Sequence, residues 1–133
     1  MADSKVGGLV QVLQALIPNL GGISPTPLPI KAAYPYVTVQ KIGGVELESL
    51  GGRSGFYPSM MQVNCFDIDY DSADLMREAI KDALMPIGGP SYSGPAGTLT
   101  IAGINHQNDA EIYDAEREVH QCVTRLQVVW VSN

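Results

Sequence analysis

Near the start of the chain, apolar residues recur at three- and four-residue spacing. The set comprises Val6, Leu9, Val10, Leu13, Leu16 and Ile17. This spacing predicts an amphipathic helix, and Asp3 or Ser4 can cap its first turn. Pro18 and the Gly21-Gly22 pair mark its end, and the three prolines between residues 24 and 29 predict an extended connector.

A second stripe with helical spacing lies in the middle of the chain. It consists of Leu75, Met76, Ala79, Ile80, Ala83 and Leu84. Asp71 or Ser72 is the expected N-cap, and Pro86 stops the helix. The Gly- and Pro-rich stretch from Gly88 to Gly97 predicts a loop.

Alternating or β-branched runs predict the strands. They cover residues 36–42, 60–70, 98–107 and 119–131, and Val45 to Leu50 predicts a hairpin arm whose return is Arg53 to Pro58. In the last strand Cys122, Leu126, Val128 and Trp130 share one face, while Val123, Val129 and Val131 occupy the other. A strand that is apolar on both faces is covered on both sides or lies at a subunit contact.

The order of these elements indicates the fold class. A helix, several strands, a helix and two more strands lack the regular alternation of a parallel sheet. We therefore expect one α+β domain over residues 1–133, with a mainly antiparallel sheet of four to five strands and two helices packed on one face.

Composition narrows the function classes. Eight basic and fourteen acidic residues give a net charge of −6, and 45% of the residues are hydrophobic. These values disfavour a disordered chain and a protein whose main function is nucleic-acid binding. We find no apolar run long enough to span a membrane, and we expect the two cysteines, Cys65 and Cys122, to be reduced.

The acidic residues Asp67, Asp69, Asp71 and Glu78 imitate the oxygen-ligand spacing of a calcium-binding loop. The imitation fails where the loop needs glycine, since Ser72 occupies that position. Helix capping is the favoured interpretation, and a small metal- or ligand-binding domain built on these four carboxylates is the alternative.

Other chemistry is weakly supported. His106, His120 and the two cysteines have the side chains of a zinc site, but no close pair of ligands preorganises them. A Gly-x-Ser-x-Gly elbow, a phosphate loop and a dinucleotide fingerprint are all missing from the sequence. We expect no enzyme activity, no cofactor and no resident metal.

The predicted loops around Arg53 to Pro58 and Gly88 to Gly97 are long for a small domain, and long loops often form binding sites. The candidate contact residues for a neighbouring subunit or another protein are Glu46, Glu48, Arg53, Phe56, Tyr57 and Tyr92. Glu46 and Glu48 belong to the exposed side of the predicted hairpin arm, and the aromatic residues lie in the two long loops.

Four segments and their order along the chain resemble the tail terminator or tail-completion proteins of long-tailed bacteriophages, a group that includes the tail-to-head joining proteins. They are the N-terminal helix, Tyr34-Pro-Tyr-Val-Thr-Val-Gln, the run from Met61 to Phe66 leading into the second helix, and the final strand that closes on Gln127-Val-Val-Trp. The resemblance spans most of the chain, but the Gly88 to Gly97 loop departs from it.

The resemblance implies a structural virion protein that assembles in the host cytoplasm into a ring, commonly a hexamer. The ring would cap the head-proximal end of the tail tube, stop tube polymerisation and provide the head-joining surface. The implied partners are further copies of the chain, the tail tube protein and head-tail connector proteins, while DNA passes through the lumen without specific binding. A head-tail connector component of the same fold is a close variant. The net charge adds the hypothesis that acidic side chains line the lumen and repel DNA.

Overall fold

The structure, a computed structural model, describes residues 4–29, 33–42 and 56–131. The helices are α1 (Lys5–Leu16) and α2 (Tyr70–Leu84). The strands are β1 (Gly22–Pro25), β2 (Tyr36–Lys41), β3 (Phe56–Asp67), β4 (Gly94–Ala96), β5 (Leu99–Asp114) and β6 (Val119–Val131). The hairpin arm predicted at Val45 to Leu50 lies outside the described residues.

The strands form one sheet in the order β1-β2-β3-β6-β5-β4. β1 is parallel to β2, and every other neighbouring pair is antiparallel. The prediction of a mainly antiparallel sheet with two helices is confirmed, but the expected four to five strands are too few. The missed strands, β1 and β4, are only four and three residues long and contain Pro25 and Pro95. A proline is tolerated there because neither strand lies in the middle of the sheet.

The sheet curls around α1. This helix packs against β1 and β2 at one margin of the sheet and against β4 at the other margin. Its N-cap is Ser4, as expected, and the Ser4 side chain accepts a hydrogen bond from the Gly7 amide at 2.9 Å. None of the helices in the described part of the chain is long and apolar enough to cross a membrane.

Both helices and one face of the sheet share the main core. Its members include Leu9 and Leu13 of α1, Ile80 and Leu84 of α2, Val39, Met61, Val63 and Ile101, and the predicted β6 set Cys122, Leu126, Val128 and Trp130. A smaller cluster of Leu28, Phe66 and Val119 forms on the opposite face of the sheet. The predicted inward face of β6 is therefore confirmed.

The buried side of α2 differs from the predicted apolar stripe. Ala73, Arg77, Ile80 and Leu84 face inward, whereas Leu75 is 69% exposed. The helix also begins two residues earlier than the predicted caps allow, because Asp69 is the N-cap and accepts a hydrogen bond from the Ser72 amide at 3.1 Å. The apolar stripe predicted the wrong buried side for this helix, because a buried arginine gives no hydrophobic signal in the sequence.

β5 is longer than predicted. The strand continues to Asp114, and only residues 115–118 form the turn into β6, so most of the stretch between the predicted strands 98–107 and 119–131 belongs to β5. Asp109 and Glu111 can remain in the strand because Lys81 and Arg77 of α2 pair with them.

We predict that Gly8→Ala destabilises the protein. A Cβ at Gly8 would lie 2.6 Å from the Ala96 carbonyl oxygen, so α1 has to move away from β4. We expect a loss of about 1–2 kcal/mol in urea unfolding, even though alanine is the better helix former. In the control Gly89→Ala the new Cβ meets only Pro86, with Cγ at 3.7 Å and Cβ at 3.9 Å, and stability should change little. Equal stability of the two variants would contradict the close α1–β4 contact.

Candidate functional site

The face of the sheet opposite the helices carries a polar network, which we call the amide face. On this face, residues that are opposite one another in the strand register form two rows across β2, β3, β6 and β5. The first row is Thr38, Asn64, Val123 and Ala110, and the second is Gln40, Gln62, Arg125 and Asn108. These rows contain no carboxylate and one cation, Arg125. In a chain of net charge −6, this distribution separates a nearly neutral surface from the acidic remainder.

Asn64 lies at the centre of the amide face and is 2% exposed. Its Nδ2 donates to Thr38 Oγ1 at 3.1 Å, and its Oδ1 accepts from Gln62 Nε2 at 2.8 Å and from Gln121 Nε2 at 2.9 Å. A buried amide whose donor and acceptor are both used holds its neighbours in one arrangement. The amide face therefore has a fixed arrangement of side chains at its centre.

Arg125 extends the network towards β5. Its Nε donates to Gln62 Oε1 and its Nη1 donates to Asn108 Oδ1, each at 3.0 Å. These neutral partners leave the positive charge of Arg125 uncompensated within the network. The amide face thus presents one cation among side chains that both donate and accept hydrogen bonds.

The helix side of the sheet has the opposite character, with an ion cluster that joins α2 to β5. The cluster consists of Asp74, Arg77, Glu78, Lys81, His106, Asp109 and Glu111. Arg77 Nη2 lies 2.6 Å from Asp74 Oδ1 and 2.8 Å from Glu111 Oε2, and its Nη1 donates to the Ala110 carbonyl oxygen at 3.1 Å. One buried guanidinium therefore ties the helix to the strand.

The second half of the ion cluster centres on Asp109. Lys81 Nζ and His106 Nε2 each lie 2.8 Å from a carboxylate oxygen of Asp109. Partial burial would raise the pKa of Asp109, but the hydrogen bonds from Lys81 and His106 outweigh it and hold this pKa below its ordinary value. For Arg77, burial alone would lower the pKa, but the hydrogen bonds to Glu111 and Asp74 outweigh burial and raise this pKa above its ordinary value.

We predict that Asp109→Asn lowers stability at neutral pH and flattens its acid dependence. Because the pKa of Asp109 is depressed in the folded state, its contribution is fully present above the ordinary pKa and is lost as pH falls through the folded value. The asparagine variant should be about 1 kcal/mol less stable at pH 7, with the difference shrinking below about pH 4. Urea unfolding between pH 7 and pH 3 measures this. Asp82→Asn, at an exposed position of α2, is the control and should change stability at pH 7 by less than about 0.5 kcal/mol.

A groove with a volume of about 310 Å³ lies between α1 and the β4 region. Its walls include Val12, Ala15 and Leu16 of α1, with Tyr92 and Pro95 opposite. Tyr92 is held by its amide, which donates to the Leu84 carbonyl oxygen, and by its hydroxyl, which donates to the Pro95 carbonyl oxygen. The predicted contact residue Tyr92 therefore lies in an ordered groove wall.

Of the predicted contact residues other than Tyr92, only two lie within the described part of the chain. Glu46, Glu48 and Arg53 lie outside the described residues. Phe56 and Tyr57 were predicted in a loop, but their backbone belongs to β3, where they pair with Val131 and Trp130. The apolar residues Val129 and Val131 are half-buried within the described part, so their cover by a neighbour stays a prediction.

The proposed calcium ligands serve local structure. Asp69 caps α2, and Asp67 accepts a hydrogen bond from the Ile68 amide at 2.7 Å. Asp71 and Glu78 are two helical turns apart on α2. Within the described ranges, no group of three His, Cys, Asp or Glu side chains is placed to hold a metal ion.

The four candidate zinc residues have other neighbours. Cys65 lies directly opposite Cys122 in the β3–β6 register, and both are buried free thiols. Burial, followed by the nearby Cys122, raises the pKa of the Cys65 thiol. His120 packs between the rings of Tyr70 and Tyr113. The expectation that both cysteines are reduced is thus confirmed, and both belong to the main core.

Sequence reasoning missed the amide face as a unit. Its signal was present in β3, where Gln62 and Asn64 are two positions apart, and in β6, where Gln121 and Arg125 are four apart, so that each pair falls on one side of its strand. Without the register that joins the strands, these residues look like the ordinary solvated side of a sheet.

Comparison with known proteins gives a fold likeness. The chain is similar to a solved chain in the virion of a native gene transfer agent particle, with a TM-score of 0.62 and 13% sequence identity. The match covers 91% of this chain and 85% of the other chain. No protein-family model and no curated protein matches the sequence. At this identity the likeness shows a shared fold over nearly the whole of both chains.

Proposed function

We propose that this protein is a structural component of a phage-like virion that forms a ring at the head-proximal end of the tail tube. The observation that carries the proposal is the likeness to a chain of a gene transfer agent virion over 91% of the sequence. The resemblance of the sequence segments to tail terminator proteins supports the specific position. In this role the ring ends tube polymerisation and offers the surface to which the filled head joins.

The surfaces of the molecule suit assembly better than catalysis. Hydrogen bonds hold side chains in place on the amide face and beside the α1–β4 groove, and the thiols of Cys65 and Cys122 are buried. β1 and β4 are short and contain Pro25 and Pro95, which disfavours joining subunits by extending the sheet through them. We propose that subunits meet through the groove and the long loops, in a head-to-tail contact that closes into a ring.

The charge distribution sharpens the hypothesis of an acidic lumen. Asp71, Glu78 and Asp82 are exposed on α2, whereas the rows of the amide face contain no carboxylate. If acidic side chains line the lumen, α2 faces the DNA and the amide face lies away from it. A ring structure with the amide face lining the channel would contradict this orientation.

The experiment is electron microscopy of the purified protein, alone and mixed with tail tubes. We expect rings bound at one end of the tubes, commonly with six subunits. A protein that remains monomeric with tubes present and leaves tube ends bare would overturn the proposal. Binding to isolated connector particles instead of tube ends would favour the alternative, a head-tail connector component of the same fold.

A further inference from the structure

β5 has one long edge that no strand covers in the described part of the chain. β6 pairs with β5 from Thr100 to Asp114, but β4 covers the other side only from Leu99 to Ile101. Further along the strand, Ser91 Oγ accepts a hydrogen bond from the Ile104 amide at 3.0 Å. Beyond a bulge between His106 and Asn108, register with β6 is uninterrupted from Asn108 to Asp114. We call this seven-residue stretch the β5 edge.

The β5 edge has only part of the usual protection of an exposed strand. It contains no proline and no lysine, and its bulge lies before it rather than within it. Its charged side chains are the carboxylates of Asp109, Glu111 and Asp114, which oppose pairing with another acidic strand. At about 3.3 Å per residue it presents roughly 23 Å of backbone donors and acceptors. An edge of this length pairs readily with another extended chain.

Side chains along the β5 edge also leave apolar surface open. Ile112 is 48% exposed and Tyr113 is 54% exposed, and because neighbours in a strand point to opposite faces, one lies on each side of the sheet. An added strand would cover both.

Charge indicates the chemistry of the partner. The ion cluster beside the edge holds four carboxylates, Asp74, Glu78, Asp109 and Glu111, against the two full cations Arg77 and Lys81. Two copies of the β5 edge would bring Asp109 and Glu111 of both chains together, and like charges on facing strands are destabilising. The surface therefore favours an extended segment that carries lysine or arginine over a second copy of itself.

We propose that the β5 edge binds an extended basic segment of another virion protein by adding it to the sheet as a further strand. Main-chain hydrogen bonds to the β5 edge supply the affinity, Ile112 and Tyr113 contact apolar side chains of the segment, and the surplus carboxylates select its basic residues. The identity of the partner as a virion component rests on the proposed function.

Amide hydrogen exchange followed by NMR tests this inference without requiring a ring. The probe is a synthetic peptide of about ten residues that alternates lysine with valine or threonine, and its matched control has glutamate at every lysine position. We expect the lysine peptide to slow exchange within Asn108 to Asp114 and to bind at least about tenfold more tightly than the control, which corresponds to about 1.4 kcal/mol.

Two variants complete the test. Ile112→Lys should abolish protection of the β5 edge, whereas Leu75→Lys, on the exposed side of α2, should leave it unchanged. Protection at other residues, equal binding of both peptides, or no protection would overturn the inference. Protection that grows with protein concentration in the absence of peptide would show self-pairing and contradict the basic partner. The peptide result does not depend on ring formation, so a failed ring experiment leaves it intact.

Discussion

Trp130→Ala is expected to produce the largest loss of stability of any single change considered for this chain. Trp130 is 2% exposed and belongs to the core shared by α1, α2 and the sheet. Removing a buried tryptophan leaves a cavity as well as lost apolar contact, so we expect a decrease of about 4 kcal/mol in the free energy of unfolding. Urea unfolding followed by circular dichroism measures this decrease, because the variant lacks the only tryptophan and therefore its fluorescence signal.

Trp130→Phe is the matched control. The indole Nε1 of Trp130 has no hydrogen-bond partner within the described part of the chain. Phenylalanine therefore removes a buried donor that contributes no bond, and the remaining cost is the smaller ring, about 1–2 kcal/mol. A phenylalanine variant as unstable as the alanine variant would show that the indole makes an essential contact.

Arg77→Ala is expected to destabilise the protein by about 2–3 kcal/mol, because a buried hydrogen-bonded charge is removed from its partners. The value is below that of a fully buried pair, since the Asp74 and Glu111 side chains are 35% and 49% exposed and regain water. We also expect faster amide exchange in β5 near Ala110, whose carbonyl oxygen accepts from Arg77.

Two further variants assign the effect of Arg77. Arg77→Lys keeps the charge but cannot reach Asp74, Glu111 and the Ala110 carbonyl together, so it should recover less than half of the loss. Glu111→Gln combined with Arg77→Ala should cost less than the sum of the single changes. Strict additivity would contradict a direct Arg77–Glu111 interaction.

The sequence predicted the elements whose burial follows a hydrophobic period. β6 matches its predicted bounds, and α1 begins at the expected Ser4 cap. The pattern failed where polar side chains are buried through a partner distant in sequence. Arg77 and Glu111 are 34 residues apart, and each looks solvent-exposed until the fold brings them together.

The candidate surfaces were less predictable than the fold. Tyr92 was predicted as a contact residue because a long loop with an aromatic residue suggests a contact; the structure places it beside a groove, and its contact with another protein stays a prediction. The amide face and the β5 edge depend on strand order and register, which pair Asn64 with Val123 and leave one side of β5 uncovered in the described residues. Neither strand order nor register can be read from the alternation of single strands.

Tail length in virions is the most direct test of the proposed role. When the gene is deleted from the genome that carries it, we expect tails of irregular and excessive length without attached heads, and uniform tails again when the protein is supplied in trans. Tails of normal, uniform length that merely lack heads would assign the protein to the connector. Normal particles, with tails of normal length joined to heads, would contradict an assembly role at the head-tail junction.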